Sequence, residues 1–253
     1  MRRLYACLIA LSVSCGTAAS ARAEESVELL KQPWSFDGLF GTFDRGAAQR
    51  GFQVYNEVCK NCHALSLVAY RNLTALGFSA DEVKAIAAEY KVQDGPNDQG
   101  EMFDRPARPS DPFVKPFPNE KAARAGNNGA YPPDLSLITK ARKGGADYVY
   151  SILNGYGDAP PGLTMADGMN FNKYFAGHQI AMPQPLQPNQ VTFADGTAAS
   201  LPQEAHDVVT FLSWAAEPEL EARKRIGLEV ILFLIVLTGM LYAVKRKVWA
   251  AVH

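Results

Sequence analysis

The sequence predicts a mainly α-helical domain with long irregular insertions, tethered by one C-terminal membrane helix. Three observations indicate this fold: amphipathic helical patterns along the chain, loops dense in Pro and Gly between them, and one long apolar stretch near the C-terminus. With 253 residues, 47% hydrophobic and 20% charged, the chain can bury one large core, and its composition excludes a disordered or collagen-like protein.

The N-terminus has the pattern of a cleaved export signal. Arg2 and Arg3 precede an apolar stretch over residues 4–13, and small residues flank the arginine in Ala21-Arg22-Ala23. This apolar stretch is too short to span a bilayer. We therefore expect cleavage after Ala23, which makes residues 1–23 a signal peptide, and export of residues 24–222.

The cysteines indicate a cofactor. Cys7 and Cys15 fall in the predicted signal, so the mature chain keeps Cys59 and Cys62, which are followed directly by His63. Cys-x-x-Cys-His is the attachment signature of c-type haem: two thiols add to the vinyl groups, and the adjacent imidazole coordinates iron. A zinc site or a redox dithiol fits less well, because the mature chain has no further cysteine and export favours haem attachment. We expect one covalent haem c.

The sixth iron ligand decides between electron transfer and chemistry at an open iron. On the residues alone, the leading candidate is Met182, which lies in a loop that Pro183 and Pro185 stiffen. His178, four residues earlier, is the main alternative. The exported body contains four further candidates: Met102, Met165, Met169 and His206.

Other patterns predict packing elements. Residues 46–58 are amphipathic and lead into the haem motif, and Ser79 with Glu82 forms a capping box that opens a helix through about Val92. Helices are also predicted over residues 146–154 and from Pro202 to about Ala216. The stretches 94–133 and 155–190 are rich in turn-forming residues and are expected to be irregular but ordered.

Residues 226–244 form an apolar stretch whose only charged residue is Glu229. As a helix it would rise ~28 Å, close to the thickness of the hydrocarbon core. We predict a membrane anchor over residues 223–247, following the preceding helix without a flexible linker. Each flank carries three basic residues, so charge does not orient the anchor. If residues 24–222 are exported, residues 248–253 form a cytoplasmic tail.

Charge is distributed unevenly. Residues 1–23 contain three Arg and no acidic residue, and residues 223–253 contain six basic residues and one Glu. Of the 25 basic and 26 acidic residues, 16 and 25 therefore fall in residues 24–222, which gives this body a formal charge of −9. An acidic body favours encounter with a basic partner. It has no basic run, so we expect no nucleic-acid binding.

Taken together, the sequence closely resembles the cytochrome c1 family, the haem subunits of the quinol:cytochrome c oxidoreductase known as the bc1 complex. The resemblance covers nearly the whole mature chain and rests on residues 58–63, 69–73, 124–136, 144–150, 171–182 and 211–218. It implies a class I cytochrome c-type domain in which His63 and Met182 are the axial iron ligands. It also implies a bacterial inner-membrane protein with its haem domain in the periplasm.

The resemblance also implies roles for other pocket residues. Arg142 and Tyr148 would lie near the haem propionates, where a guanidinium and a phenol can satisfy carboxylates. Asn127, Pro132 and Pro133 would line the haem pocket. Some bacterial relatives carry a disulfide between the body and the ligand loop, and this chain lacks those cysteines.

The function implied by the resemblance is one-electron transfer from the mobile Rieske iron-sulfur protein to a basic cytochrome c, beside cytochrome b and membrane lipid. The chain would be the electron-transfer subunit of an oxidoreductase, with no independent catalytic chemistry. Two alternatives have different consequences. A membrane-anchored haem enzyme would have an open iron site, and a cytochrome subunit of a terminal oxidase would have different partners.

Overall fold

A computed structural model describes residues 27–250. The predicted signal peptide and residues 251–253 of the predicted tail lie outside the described residues. Within residues 27–250, the helices are α1 (Arg45–Glu57), α2 (Ala80–Ala88), α3 (Glu120–Gly126), α4 (Ile138–Ala141), α5 (Gly145–Asn154), α6 (Leu201–Ala216) and α7 (Leu220–Trp249). Two short antiparallel pairs join β1 (Lys91–Asp94) to β2 (Phe103–Pro106) and β3 (Asn170–Phe171) to β4 (Gln179–Ile180). The prediction of a mainly α-helical chain is confirmed.

Helix α1 is the predicted helix that leads into the haem motif. The Asp44 carboxylate caps it by accepting a hydrogen bond from the backbone N–H of Ala47 at 3.0 Å, which satisfies a donor that the helix itself leaves free. The helix ends at Glu57, and the chain continues into a 3-10 turn over Cys59–Asn61. The motif is therefore attached directly to a core helix.

Helices α1 and α6 cross at the centre of the domain. Gly51 of α1 approaches α6 so closely that a Cβ atom there would overlap the backbone carbonyl of Asp207. The buried Asp207 carboxylate accepts two hydrogen bonds from Arg50, at 2.7 and 3.2 Å. Aromatic side chains from both helices fill the space around the crossing: Phe52, Tyr55, Phe211 and Trp214.

Helix α2 begins at the predicted capping box: the backbone N–H of Glu82 donates to Ser79 Oγ, and the backbone N–H of Ser79 donates to the Glu82 carboxylate. The predicted end near Val92 is wrong, because α2 stops at Ala88. Residues 91–94 instead form β1, whose backbone groups pair with β2. A partner strand twelve residues away therefore overrides the helical pattern.

The two stretches expected to be irregular are ordered but contain regular elements. Residues 94–133 include β2 and α3, and residues 155–190 include the β3–β4 pair. Arg105 holds the first hairpin by ion pairs to Asp94 and, at 2.6 Å, to Asp111. Its hydrogen bonds lower the pKa of Asp111 to about 2.

The segment before α1 is tied to α5 and α6. The Asp147 carboxylate in the first turn of α5 accepts hydrogen bonds from Lys31 Nζ at 2.9 Å, from the Gln32 backbone at 3.2 Å and from Trp34 Nε1 at 2.8 Å. Burial acts to raise the pKa of Asp147, but these hydrogen bonds outweigh it, and the pKa lies below its ordinary value. The Trp34 ring stacks on His206 of α6 with a centroid separation of 5.0 Å.

Helix α7 is long and apolar enough to cross a membrane, and its apolar window is not covered by other described parts of the chain. Only residues 217–219 separate it from α6, as the prediction of a short connection requires. The helix extends beyond the predicted bounds of 223–247 at both ends. Its first turn contacts the helical domain directly, because Glu221 accepts a hydrogen bond from the Phe43 backbone at 2.8 Å.

Candidate haem-attachment site

The motif Cys59 to His63 forms one tight turn. The backbone N–H groups of Cys62 and His63 both donate to the carbonyl oxygen of Cys59, at 3.2 and 2.9 Å. Cys59 is half-buried and packs against the main core, whereas Cys62 is exposed, and both thiols are free. Burial raises the pKa of the Cys59 thiol to about 12. The turn thus presents two thiols and an imidazole within five consecutive residues.

The His63 ring is held in place by a backbone group. Its Nδ1 lies 2.8 Å from the carbonyl oxygen of Pro133. Since a carbonyl only accepts, Nδ1 carries the proton and Nε2 keeps its lone pair. Burial lowers the pKa of His63, although the Pro133 carbonyl opposes this effect. A neutral imidazole with a free Nε2 and a hydrogen-bonded Nδ1 is the usual form of a histidine that binds a metal.

A second set of hydrogen bonds joins the chain after His63 to the chain after Pro133. The backbone N–H of Leu135 donates to the Ala64 carbonyl at 2.8 Å. The Asp134 carboxylate accepts from the backbone N–H groups of Ser66 at 3.0 Å and Ser136 at 2.8 Å. Burial favours a higher pKa for Asp134, but the hydrogen bonds from Ser136 and Ser66 dominate and lower it.

Asp134 was not among the site residues predicted from sequence. Its signal is an acidic residue directly after two prolines with Ser136 two positions later, the spacing of a local Asp turn. The contact with Ser66 could not be predicted, because it joins segments 68 residues apart.

Met182 lies half-buried at the edge of a second apolar cluster formed by Ile152, Tyr174 and Ile180. Its backbone carbonyl accepts hydrogen bonds from Tyr156 Oη at 3.1 Å and from Asn170 Nδ2 at 3.3 Å. Burial raises the pKa of Tyr156, so its phenol stays protonated and donates.

Neither Tyr156 nor Asn170 was predicted from sequence. For Tyr156, the only signal in the sequence is its position between Gly155 and Gly157. For Asn170 the sequence gives no signal, because its role depends on the β3–β4 pairing that brings it beside the loop of Met182.

His178, the alternative ligand, lies in the same hairpin. Its carbonyl accepts from the backbone N–H of Asn172 at 3.0 Å, and it adopts a left-handed backbone conformation with φ of 58°. Its Nδ1 is buried and has no hydrogen-bond partner within residues 27–250. Among the remaining candidates, Met102 and Met169 are exposed, and the His206 ring stacks on Trp34.

Tyr148 connects the two apolar clusters, since it packs against both the main core and the cluster that contains Met182. Burial raises its pKa, and the nearby positive charge of Arg142 opposes the increase. The Arg142 side chain is exposed, with one long hydrogen bond of 3.5 Å to the Ala141 carbonyl. This leaves its guanidinium available to a carboxylate.

The structure places the other predicted pocket residues as follows. Pro133 contacts His63 through its carbonyl, and Pro132 beside it is half-buried. Asn127 lies at the C-terminal end of α3, where its Nδ2 donates to the Ala123 carbonyl at 2.7 Å. The structure therefore brings Pro133 directly to His63, whereas the Asn127 side chain is used within its own helix end.

The available donors fit a covalent haem. The turn offers two free thiols three positions apart and one imidazole nitrogen, the groups that attach a c-type haem and bind its iron. In the part of the chain described here, no group of three or more His, Cys, Asp and Glu side chains could hold a metal ion.

Comparison with known proteins gives a consistent family match. A model of the cytochrome C1 family matches residues 34–252. The cytochrome c1 of Rhodospirillum rubrum is 49% identical over 259 residues, which cover 96% of this chain and 95% of that protein. The mitochondrial cytochrome c1 heme protein of Schizosaccharomyces pombe is 46% identical over 252 residues, covering 100% of this chain and 81% of that protein.

A longer relative also matches. The cytochrome b/c1 of Bradyrhizobium diazoefficiens is 51% identical over 263 residues. The match covers 94% of this chain but only 38% of that protein, so the chain spans less than half the length of this relative.

Proposed function

The chain belongs to the cytochrome c1 family, and from this premise we propose that it carries one haem c and relays single electrons in a quinol-oxidising bc1 complex. The observation that carries the proposal is the Cys59-x-x-Cys62-His63 turn with its imidazole held by the Pro133 carbonyl. The names of relatives called heme proteins support a haem cofactor. The name cytochrome b/c1 supports a place beside cytochrome b.

Different residues of the chain would bind different parts of the cofactor. The thiols of Cys59 and Cys62 would attach haem c covalently, and His63 Nε2 and the Met182 sulfur would bind its iron. When bound, haem c supplies a ferric/ferrous couple that takes up and releases one electron. The Pro133 carbonyl sets the His63 tautomer, and Tyr156 with Asn170 restrains the loop that carries the thioether.

Arg142 and Tyr148 would contact the haem propionates, and Asn127, Pro132 and Pro133 would line the pocket. Two observations support this assignment. The Arg142 guanidinium is exposed, and its positive charge acts on the pKa of the half-buried Tyr148. A guanidinium there neutralises carboxylate charge and favours the reduced form of the cofactor. No side chain is assigned independent catalytic chemistry, because His63 and Met182 as protein ligands would leave no coordination position for a substrate.

We assign the electron donor as the Rieske iron-sulfur protein and the acceptor as a basic cytochrome c. The acidic body, with a formal charge of −9 over residues 24–222, supports a basic acceptor. The long apolar helix α7 supports a single membrane anchor. In this arrangement the haem domain lies in the periplasm of a bacterium and the C-terminus in the cytoplasm.

Purification of the full chain from native membranes tests this function. The protein should copurify with a b-type cytochrome and an iron-sulfur protein, and quinol should reduce its haem before added cytochrome c oxidises it. Raising the salt concentration should slow the oxidation step, since it screens the acidic surface. Copurification with a terminal oxidase instead, or rapid carbon monoxide binding to the reduced chain, would overturn the proposal in favour of an alternative function.

A further inference from the structure

A small loop beside α7 exposes two large apolar side chains. In this tip loop, defined as residues 37–41, Leu39 is 59% exposed and Phe40 is 76% exposed. The aromatic residues on both sides of it are buried: Trp34, Phe36 and Phe43. The loop therefore projects from the core into solvent, with Asp37 and Gly38 exposed beside Leu39 and Phe40.

The tip loop has a defined shape. Its base is closed by a hydrogen bond from the Thr42 backbone N–H to the Ser35 carbonyl, at 3.0 Å. Gly38 has a φ of +70°, in the left-handed region that favours glycine. Gly41 packs against the backbone of Asp37, where a Cβ atom would overlap the carbonyl oxygen. Leu39 and Phe40 are thus presented by a constrained turn.

Helix α7 holds the tip loop at a specific height. Lys224 Nζ donates hydrogen bonds to the carbonyl oxygens of Phe36 at 2.7 Å and Gly41 at 3.0 Å, the two ends of the loop. Lys224 precedes Ile226, the first residue of the apolar stretch, by two positions, or ~3 Å along a helix axis. A headgroup layer is roughly 5–7 Å thick on each side of a bilayer. The loop base therefore lies at headgroup level if α7 spans.

We propose that Leu39 and Phe40 insert into the lipid interface and form a second contact between the haem-bearing domain and the membrane. The inference rests on the proposed function, because it requires α7 to span the bilayer. Phe and Leu are typical of side chains that insert at the headgroup boundary. Two apolar side chains between glycines offer far less surface than a stable protein interface buries, which favours lipid over a protein partner.

This second contact restricts the orientation of the domain. A single helix fixes the distance of a domain from the membrane but leaves its rotation and tilt less restrained. With α7 and the tip loop both in contact with lipid and joined by Lys224, the domain is supported at two points. The N-terminal end of α1 then remains close to the membrane surface, since the backbone of Phe43 just before it is hydrogen-bonded to Glu221 of α7.

Photo-crosslinking of the intact haem-loaded chain tests the proposal. The probe is a phosphatidylcholine with a diazirine on an acyl carbon near the headgroup, in phosphatidylcholine vesicles. After trypsin digestion, the tip loop falls in the peptide of residues 32–45, α7 in 226–245, and an exposed soluble control with Met102 and Phe103 in 92–121. We expect at least tenfold more lipid adduct on 32–45 than on 92–121, located at positions 39 and 40.

Two variants distinguish the possible outcomes. Leu39→Ser with Phe40→Ser should remove the adduct from 32–45 and leave that on 226–245 unchanged, with an unaltered visible spectrum as evidence of folding. Lys224→Met should reduce the adduct on 32–45 by releasing the loop. Adducts on 226–245 alone would overturn the inference and leave the anchor intact. Absence of adducts from both peptides would overturn the membrane anchor itself. Crosslinking of 32–45 only to another protein in native membranes would assign the tip loop to a protein partner and overturn insertion.

Discussion

His63 and Pro133 are separated by 70 residues, yet Nδ1 of His63 lies 2.8 Å from the Pro133 carbonyl oxygen. Because the acceptor is a backbone group, no substitution of the side chain at position 133 removes it directly. The hydrogen bonds from Leu135 to Ala64 and from Ser66 to Asp134 keep the two segments together. The imidazole is thereby held in one orientation, which would reduce the conformational freedom that iron ligation must otherwise restrict.

The Tyr156→Phe substitution tests the restraint on the methionine loop. Loss of the hydrogen bond to the Met182 carbonyl should cost about 1 kcal/mol, because Asn170 still donates to the same oxygen. Cyanide should therefore displace the thioether from ferric haem about fivefold more readily. Optical titration measures this change. Tyr131→Phe, on an exposed tyrosine, is the control, and equal cyanide affinity in Tyr156→Phe and wild type would refute the restraint.

Asp147→Ala tests the attachment of the N-terminal segment. The folded-state pKa of Asp147 is lowered, so its ionised form stabilises the fold above the unfolded-state pKa of about 3.9, and this stability disappears as pH falls through the folded-state pKa. At pH 7 the variant should lose about 1–2 kcal/mol in urea unfolding. The difference from wild type should shrink at acid pH. Asp158→Ala, at an exposed position, is the control, and a pH-independent difference contradicts the assignment.

Gly51→Ala tests the close crossing of α1 and α6. The new methyl group would overlap the Asp207 carbonyl, so we expect a loss of about 1–3 kcal/mol and a clear decrease in Tm. Gly46→Ala is matched on the same helix, where the methyl group would meet only flexible side-chain ends of Asp44 and Arg50. That variant should be neutral or more stable by up to about 1 kcal/mol. Equal effects of the two substitutions on Tm would show that the crossing is not tightly packed.

Local sequence patterns were sufficient for the elements whose boundaries depend on nearby residues. The capping box of Ser79 and Glu82, the helix leading into Cys59 and the short connection before α7 all lie where the patterns predict. These features depend on contacts within a few residues, such as an N-cap or an apolar face.

Contacts between distant segments could not be predicted in this way. The predicted end of α2 is wrong because residues 91–94 pair with β2 as a strand. The hydrogen bonds from Tyr156 and Asn170 to Met182 depend on a hairpin that no periodicity in the sequence indicates. Short strands of two to four residues carry too few side chains to show alternation. The tip loop shows the same limit, since its link to Lys224 spans 183 residues or more.

The visible and near-infrared spectrum of Met182→Leu tests the central claim, that two protein ligands close a covalent haem for electron transfer. We predict that the ferric band of thioether ligation near the red end of the spectrum disappears. The reduction potential should fall by on the order of 0.1 V, since axial ligands set haem potentials over about 0.8 V. The reduced variant should bind carbon monoxide that wild type excludes. Met169→Leu, at an exposed methionine, should leave all three properties unchanged. An unaltered spectrum and potential in Met182→Leu would contradict the account.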